Sequence, residues 1–254
     1  MLVAERRDLL LRRLERDGKL VARDLAAELA LSEDSVRRDL RDLAAAGLCQ
    51  RVYGGAVPAS RALVNYAARA SVEPESKQRV AARAAALINP GDRVILDGGT
   101  TTLAVVRALP ASLTATVITH SPTIAAALLD HPGVEILLLG GRIYKHSAVA
   151  CGAAAAEAAA GISADLFLLG VTGVHPDAGL TTGDAEEAAM KRTLAGRAAD
   201  TYVLASAEKV GAISAYRVLD LSEVTAVVTD TAADNPWLEQ LRDRGPQVIS
   251  ARES

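Results

Sequence analysis

Two short stretches of this chain carry residues whose types and spacing suit binding chemistry. Residues 32–40 read Ser-Glu-Asp-Ser-Val-Arg-Arg-Asp-Leu, in which serines and an arginine pair stand between apolar positions. Residues 94–102 read Val-Ile-Leu-Asp-Gly-Gly-Thr-Thr-Thr, an apolar run that ends in a glycine pair and three hydroxyl side chains. The first stretch suits contacts to a nucleic acid, and the second suits contacts to a small anion.

The first stretch is predicted to be a DNA-reading helix. Ser32 stands at the N-cap position, and the spacing of Val36, Leu40 and Leu43 turns one apolar face inward. A helix that reads the major groove needs short polar and basic groups on its first two turns and a packed back. The alternative is an ordinary solvated helix of mixed charge. The side chains predicted to face outward are Arg37, Arg38, Asp39, Arg41 and Asp42.

Two earlier helices and a later hairpin give the outline of a winged helix-turn-helix. Helices are predicted over residues 3–16 and 22–29, and Gly47 is expected to end the third helix. A hairpin is predicted over residues 48–57 around Gly54 and Gly55. The residues predicted to contact DNA are Arg23, Ser32, Ser35, Arg37, Arg38, Arg41, Arg51 and Tyr53. Arg23, Arg41 and Arg51 are assigned to phosphates, and Ser35, Arg37 and Arg38 to base edges.

The second stretch is predicted to hold an anion where a strand gives way to a helix. Free backbone N–H groups at a helix start, together with threonine hydroxyls, make a site suited to phosphate. The alternative is a plain strand-to-helix turn with Thr100 as the N-cap. The stretch matches neither G-x-x-x-x-G-K-[ST] nor G-x-G-x-x-G, so ATP and dinucleotides are disfavoured.

A repeated pattern of strand, glycine and helix surrounds this stretch. Strands are predicted over residues 93–97, 116–119, 134–139, 165–170, 201–205, 225–229 and 247–250. Helices are predicted over residues 100–109, 122–129, 154–160, 185–199 and 235–243. Uninterrupted apolar strands that alternate with helices indicate an α/β domain with a mostly parallel sheet covered on both faces. Such sheets bind ligands at their strand ends.

Composition excludes several classes of protein. The chain has 254 residues, of which 50% are hydrophobic, so it is not mainly disordered. Its two cysteines make no disulfide framework, which favours a reducing, cytoplasmic location. No membrane span, metal site or cofactor is expected, because the apolar runs are short and the four histidines lie far apart. The net charge of −3 shows no basic surplus, so only the placement of the arginines supports DNA binding.

These motifs resemble the DeoR/GlpR family of bacterial transcriptional regulators. In the first sixty residues the resemblance rests on the runs 21–26, 35–40 and 51–56, which hold the Arg-Arg-Asp-Leu helix and the Arg-Val-Tyr-Gly-Gly-Ala wing. Farther on it rests on the runs 97–101, 117–121, 139–141 and 179–181, and on Gly152, Asp165, Lys191 and Lys209. It therefore extends over about residues 6–230. Ser35, Tyr53 and His120 stand where the family more often has threonine, histidine and asparagine.

The resemblance implies a sensor domain similar in fold to ribose-5-phosphate isomerase and glucosamine-6-phosphate deaminase. It implies that Asp97, Thr100 and Thr101 hold a sugar phosphate and gives Thr119, Lys191 and Lys209 a place in the same pocket. The full set of expected effector residues is Asp97, Gly98, Gly99, Thr100, Thr101, Thr119, His120, Gly140, Gly141, Lys191 and Lys209.

The chain is expected to divide into a winged helix-turn-helix domain at residues 1–58, a linker at 59–75, and a sensing and oligomerisation domain at 76–254. The expected function is repression of sugar or carbohydrate metabolism genes under control of a phosphorylated sugar. A homo-oligomer, dimer or tetramer, is expected because one recognition helix covers only a half-site. One alternative is a sugar-phosphate isomerase or deaminase with an accessory DNA-binding segment. Another is a constitutive DNA-binding protein whose second domain only oligomerises.

Overall fold

The computed structural model describes residues 3–17, 19–46, 48–58 and 66–252. These residues form a small helical unit, residues 3–58, here called the head, and a larger α/β unit, residues 66–252. The predicted helix end at Gly47 and residues 59–65 of the predicted linker lie outside the described ranges. Among the described residues, none of the helices is both long and apolar enough to span a bilayer.

The head contains the three helices and the hairpin that the sequence predicts. Its core is built from the inward faces of the helices, including Leu10, Leu14, Leu25, Val36 and Leu40. Its three strands form one antiparallel sheet in the order β1-β3-β2. In chain order the elements are α1 (Val3–Asp17), β1 (Leu20–Val21), α2 (Ala22–Glu28), α3 (Glu33–Ala45), β2 (Cys49–Val52) and β3 (Gly55–Pro58).

Gly54 and Gly55 serve the hairpin in different ways. Gly54 has a φ of +78°, the left-handed conformation that suits glycine in a tight turn. Gly55 opens β3, and a Cβ there would lie 1.8 Å from the carbonyl oxygen of Leu20. Only glycine lets β3 approach β1 this closely, so the short apolar segment Leu20–Val21 becomes the third strand of the sheet.

The α/β unit is built on a parallel sheet of seven strands in the order β15-β14-β12-β9-β4-β5-β6, as the alternating pattern predicts. In chain order the elements are α4 (Tyr66–Ala70), α5 (Pro74–Ala85), β4 (Arg93–Leu96), α6 (Thr100–Ala108), β5 (Ala115–Thr119), α7 (Pro122–Leu128), β6 (Val134–Leu138), β7 (Arg142–Tyr144), β8 (Val149–Cys151), α8 (Ala153–Ala160), β9 (Ala164–Gly170), β10 (Gly173–His175), β11 (Gly179–Thr182), α9 (Ala185–Ala195), β12 (Ala198–Ala205), β13 (Tyr216–Leu219), β14 (Ala226–Thr229), α10 (Pro236–Arg242) and β15 (Gln247–Ser250).

Both faces of this sheet are buried. Ile95 and Phe167 point into one apolar cluster, while Val94 and Leu168 point into a second cluster on the opposite face. Side chains alternate across a strand, so burial on both faces explains why these strands are apolar throughout. This packing fixes the positions of the strand ends, where the candidate site lies.

The structure differs from the predicted elements in several places. Helix α9 ends at Ala195 and not near residue 199, because residues from Ala198 onward pair with β9 as strand β12. Helix α4 lies within the predicted linker, and α5 is absent from the predicted elements. Two small antiparallel sheets, β10-β11-β13 and β7-β8, are additions to the predicted fold. At the end of α9, strand pairing with β9 outweighs the local helix preference of the alanine-rich segment.

Candidate functional site

The first candidate surface is the start of α3. Ser32 is the N-cap, and its Oγ accepts a hydrogen bond from the Ser35 N–H at 3.2 Å. Its Oγ also lies 2.9 Å from the Oγ of Ser35. Val36, Leu40 and Leu43 are buried, as the spacing predicts. Ser32 therefore has a structural role in capping the helix while it remains exposed at the end of the predicted DNA-reading face.

Arg37, Arg38 and Arg41 are exposed on α3. The Nη2 of Arg37 donates to the Oε1 of Glu33 at 2.6 Å, one helical turn earlier. Arg38 and Arg41 lie three positions apart on one helix face, and neither has a carboxylate within 4.0 Å among the described residues. These two guanidinium groups are thus available for phosphates or base edges.

Asp39 is not an outward-facing residue, contrary to the prediction from spacing. Its side chain is buried and accepts hydrogen bonds from Arg6 and Arg7 on α1. Arg7 also pairs with Asp42, which is partly exposed. The arrangement of α1 across α3 decides this, because it covers a position that a lone helix would leave in solvent. Asp39 therefore holds the two helices together.

The hairpin and α2 supply the remaining predicted DNA contacts. Arg51 is exposed on β2, and Tyr53, at the turn that follows, is fully exposed. Arg23 is exposed on α2 next to Asp24, with 3.7 Å between its Nε and a carboxylate oxygen. All three side chains reach solvent, so each is accessible to a duplex.

The second candidate site lies where β4 gives way to α6. Gly99 is the N-cap of α6 with a φ of +118°, and no side chain caps the helix. Thr100 is therefore the first helical residue and not the cap. A Cβ on Gly98 would lie 2.1 Å from a Val149 methyl carbon, so this position needs glycine for close packing. The first N–H groups of α6 have no partner within the helix, and Gly99, Thr100 and Thr101 line a pocket at this helix start.

The pocket beside this helix start, here called the central pocket, is formed by several distant parts of the chain. Its lining residues are Arg69, Val72, Lys77, Gly98, Gly99, Thr100, Thr101, Thr102, Ser147, Gly170, Val171, Thr172, Thr182, Glu187, Lys191, Glu208 and Lys209. Six of the predicted effector residues are among them: Gly98, Gly99, Thr100, Thr101, Lys191 and Lys209. The fold brings these six together from the loop and helix start after β4, from the middle of α9, and from the short turn after β12.

Asp97 lies behind the central pocket and does not line it. It is fully buried, and its carboxylate accepts hydrogen bonds from the N–H groups of Gly98 and Gly170, each at 2.8 Å, and from Lys191 Nζ. Burial by itself raises the pKa of Asp97, but the charge of Lys191 and the hydrogen bond from His120 outweigh it and lower the pKa to about 2. Asp97 is thus an ionised group that orders the loop.

His120 and Thr119 also lie outside the pocket lining and contact the backbone and side chains next to it. The Nδ1 of His120 lies 2.8 Å from the carbonyl oxygen of Ala150, and its Nε2 lies 2.8 Å from Asp97 Oδ1. The imidazole ring therefore bridges a backbone carbonyl and the carboxylate of Asp97. Thr119 donates through Oγ1 to the carbonyl of Leu96 at 2.7 Å. Both side chains are fully buried and tie β5 to neighbouring strands.

Lys191 pairs with two acidic side chains, Asp97 and Glu187, at one side of the central pocket. Its Nζ contacts Asp97, lies 3.5 Å from a Glu187 carboxylate oxygen and donates to the Gly170 carbonyl at 3.0 Å. Burial alone lowers the pKa of Lys191, but the two carboxylates outweigh it and leave the pKa raised. Lys191 is consequently a charged group that the protein itself already pairs.

Lys209 has different surroundings. It is buried, and its Nζ donates to the Thr101 hydroxyl at 3.1 Å. No carboxylate lies within 4.0 Å of this ammonium group in the described parts of the chain. Burial lowers the pKa of Lys209 to about 8, and nearby Lys77 and Arg69 also act to lower it, while Glu208 opposes the shift. A buried cation without an ionic partner would bind an anion favourably.

Two predicted effector residues lie elsewhere, and several lining residues escaped prediction. Gly140 and Gly141 are exposed after β6 and are not among the lining residues. Arg69, Lys77 and Glu187 line the pocket, although nothing in their sequence surroundings marks them as binding residues. Within the described residues, no group of histidine, cysteine and carboxylate side chains has a metal-binding arrangement.

Comparisons with known proteins match both parts of the chain. Residues 6–62 match a family model described as a DeoR-like helix-turn-helix domain, and residues 72–231 match one described as the DeoR C terminal sensor domain. The transcriptional repressor GlcR of Bacillus subtilis strain 168 is 31% identical over 93% of this chain and 92% of its own. The glycerol-3-phosphate regulon repressor of Escherichia coli K12 is 26% identical over 92% of this chain and 94% of its own.

Among solved structures, ribose 5-phosphate isomerase A from Methanocaldococcus jannaschii is similar to the α/β unit. It has 17% sequence identity and a TM-score of 0.38, and the match covers 51% of each chain.

Proposed function

This chain belongs to the DeoR family of transcriptional regulators, and we propose that it is a sequence-specific repressor of sugar-metabolism genes controlled by a phosphorylated sugar in the central pocket. We further propose that residues 1–58 read DNA, that residues 59–75 link the two parts, and that residues 76–254 sense the effector. The relatives named above are regulators and not enzymes, which argues against an isomerase or deaminase.

The charge of the central pocket is the observation that carries the effector proposal. Arg69, Lys77 and Lys209 are buried cations, and none of them forms an ion pair within 4.0 Å across the described ranges of the chain. Glu208 is the acid that remains near them, because Lys191 pairs with Asp97 and Glu187. The excess positive charge suits a phosphate monoester, which carries about two negative charges at neutral pH.

The polar side chains that line the pocket suit the sugar part of the ligand. Thr101, Ser147 and Thr182 present hydroxyl groups beside the cations. Hydroxyl side chains both donate and accept hydrogen bonds, as sugar hydroxyls do. The repressor of the glycerol-3-phosphate regulon is named for a small phosphorylated polyol, which agrees with a ligand of this class.

The DNA part of the proposal rests on the exposed arginines of α3. Ser35, Arg37 and Arg38 are assigned to base edges, and Arg23, Arg41 and Arg51 to phosphates. Tyr53 at the hairpin turn is assigned to the flanking backbone. Two copies of the chain are needed for a two-fold operator, with recognition helices about 34 Å apart or a multiple of that spacing.

A screen of phosphorylated sugars tests the effector proposal. We expect one of them to raise the melting temperature of the full chain and to change its affinity for operator DNA. Thr101→Ala and Lys209→Ala are expected to keep operator affinity without ligand and to blunt both responses. Arg197→Ala, at an exposed position outside the pocket, is the control. If both pocket variants responded like the control, the pocket assignment would be wrong.

A further inference from the structure

We propose that the first segment of the α/β unit, on the side of the chain that leads to the head, is itself part of the phosphate site. Residues 66–77, here called the elbow, comprise α4 and the start of α5. In this proposal Arg69 and Lys77 bind the phosphate of the effector together with Lys209, so that binding acts directly on the segment that leads to the head. The inference rests on the proposed function of the central pocket and adds to it the route by which binding is transmitted.

Arg69 has the free bonding capacity that such a role needs. It is 8% exposed and lines the central pocket. Its Nη2 donates to the His146 carbonyl at 2.6 Å, whereas its Nε is buried without a hydrogen-bond partner among the described residues. A buried donor left without a partner costs stability, so a further acceptor would be bound favourably. Burial lowers the pKa of Arg69, and an anion would compensate that unfavourable charge.

Lys77 connects the pocket to the shape of the elbow. Its Nζ donates to the carbonyl oxygens of Arg69 and Val72, so the ammonium group holds the end of α4 against the start of α5. Between these helices Glu73 has φ +44° and ψ +54°, a left-handed conformation that is strained for a residue other than glycine. Lys77 therefore stabilises a tight, strained bend with the same charge that it presents to the pocket.

Two contacts tie the elbow to neighbouring parts of the α/β unit. The hydroxyl of Tyr66 lies 3.2 Å from the Thr123 hydroxyl at the start of α7, while within the elbow itself the Arg69 guanidinium lies 5.6 Å from the centre of the Tyr66 ring. Arg69 reaches the segment between β7 and β8 through His146. The elbow thus lies against the sensor loops, and a bound anion would strengthen an existing arrangement.

The charges facing the elbow support phosphate over a neutral group. The elbow brings two cations, Lys209 adds a third from the opposite side, and the α6 N-terminus adds its partial positive charge. Glu208 is the nearby acid. Its Oε1 accepts a hydrogen bond from Ser206 at 2.7 Å, while its Oε2 is buried without a hydrogen-bond partner among the described residues. This carboxylate offsets one of the three positive charges, and Lys191 faces two carboxylates, so a net positive charge remains for an anion to balance.

The experiment uses the full chain and inorganic phosphate as the probe, with chloride at matched ionic strength as the reference. Calorimetry gives the phosphate affinity, and hydrogen exchange followed by mass spectrometry reports on residues 66–77 and 97–108. We expect phosphate to slow exchange in both segments of the wild type. Arg69→Gln should bind phosphate at least about tenfold more weakly and lose the response of the elbow.

Two further variants separate charge from structure. Arg69→Lys keeps the charge and should retain much of the affinity. Arg83→Gln removes an exposed cation from α5 outside the pocket and should behave as wild type. If phosphate protected residues 97–108 but not 66–77, or if Arg69→Gln bound phosphate as tightly as Arg83→Gln, the elbow proposal would fall while the pocket proposal stood. If phosphate protected neither segment of the wild type, both proposals would fall.

Discussion

Asp97 accepts a hydrogen bond from His120, with 2.8 Å between Oδ1 and Nε2, and neither side chain has any exposed surface. Because Asp97 also accepts from two backbone N–H groups and from Lys191, it joins β4, β5, β9 and α9 at one point. The loop above it presents the α6 N-terminus to the central pocket. Asp97 thus acts on the proposed effector through the geometry of the loop.

Replacing this carboxylate should therefore reduce stability. Asp97→Asn leaves Lys191 with Glu187 as its ionic partner and removes the carboxylate oxygen that lies 2.8 Å from His120 Nε2. Breaking a buried ion pair from one side costs about 3–5 kcal/mol, so we expect the free energy of unfolding to fall by about 3 kcal/mol. Urea unfolding followed by the fluorescence of the single tryptophan, Trp237, measures the change. The exposed control Asp130→Asn should change it by about 0.5 kcal/mol or less. Equal midpoints for both variants would contradict the role given to Asp97.

Phosphate affinity should depend on pH through Lys209. Its pKa is lowered to about 8 in the free protein, and a bound anion favours the charged form and raises that pKa. Below pH 8 the amine is charged with or without phosphate. Above pH 8 it must take up a proton on binding, so affinity falls by up to about tenfold per pH unit. Below about pH 6 a phosphate monoester loses its second charge. Calorimetry with a phosphate monoester across pH should therefore find the tightest binding between about pH 6 and pH 8.

A variant of Lys209 tests whether this side chain causes the fall in phosphate affinity above pH 8. Lys209→Met should bind phosphate more weakly at neutral pH and lose most of the decline above pH 8. Lys145→Met, which removes an exposed ammonium group, should keep both limbs. A wild-type profile that stayed flat through pH 8 would show that Lys209 does not meet the anion.

The buried position of Asp39 predicts a loss of stability confined to the head. Asp39→Asn weakens the contacts that hold Arg6 and Arg7 of α1 against α3. Because both arginines are partly exposed, we expect a cost of about 2 kcal/mol, less than for a fully buried pair. Hydrogen exchange within α1 should quicken accordingly. Asp8→Asn, at an exposed position on α1, is the control. If hydrogen exchange within α1 were equally fast in both variants, Asp39 would not be holding α1 against α3.

Arg38 should contribute strongly to operator affinity. Its guanidinium is exposed on α3 and has no ionic partner among the described residues, so its removal leaves the fold unchanged. Loss of a base-edge contact costs about 1–3 kcal/mol, hence Arg38→Ala should bind an operator obtained by in vitro selection about tenfold to a hundredfold more weakly. Fluorescence anisotropy measures the affinity. If Arg38→Ala matched Arg197→Ala, the assignment of α3 as the recognition helix would be wrong.

Local patterns predicted much of the fold. The spacing of Val36, Leu40 and Leu43 set the buried face of α3, and the apolar runs identified the strands of the parallel sheet. Helix α5 lacked such a signal, because half of its buried residues are alanines and two others are Ser76 and Lys77. A helix that buries a lysine does not follow the pattern of apolar residues from which helices are recognised.

The sequence by itself determined the two modules, the capped arginine helix and the glycine-threonine loop, because each depends on residues within a few positions of one another. Only the tertiary structure decided that Asp39 faces α1 and that Asp97 and His120 lie behind the pocket. It also decided that Arg69, Lys77 and Lys209 share one cavity. Lys209 is far from Arg69 and Lys77 in the chain, and the crossovers of the sheet and the strained bend at Glu73 place the three charges together. Burial and electrostatic environment depend on that packing, which no spacing along the chain encodes.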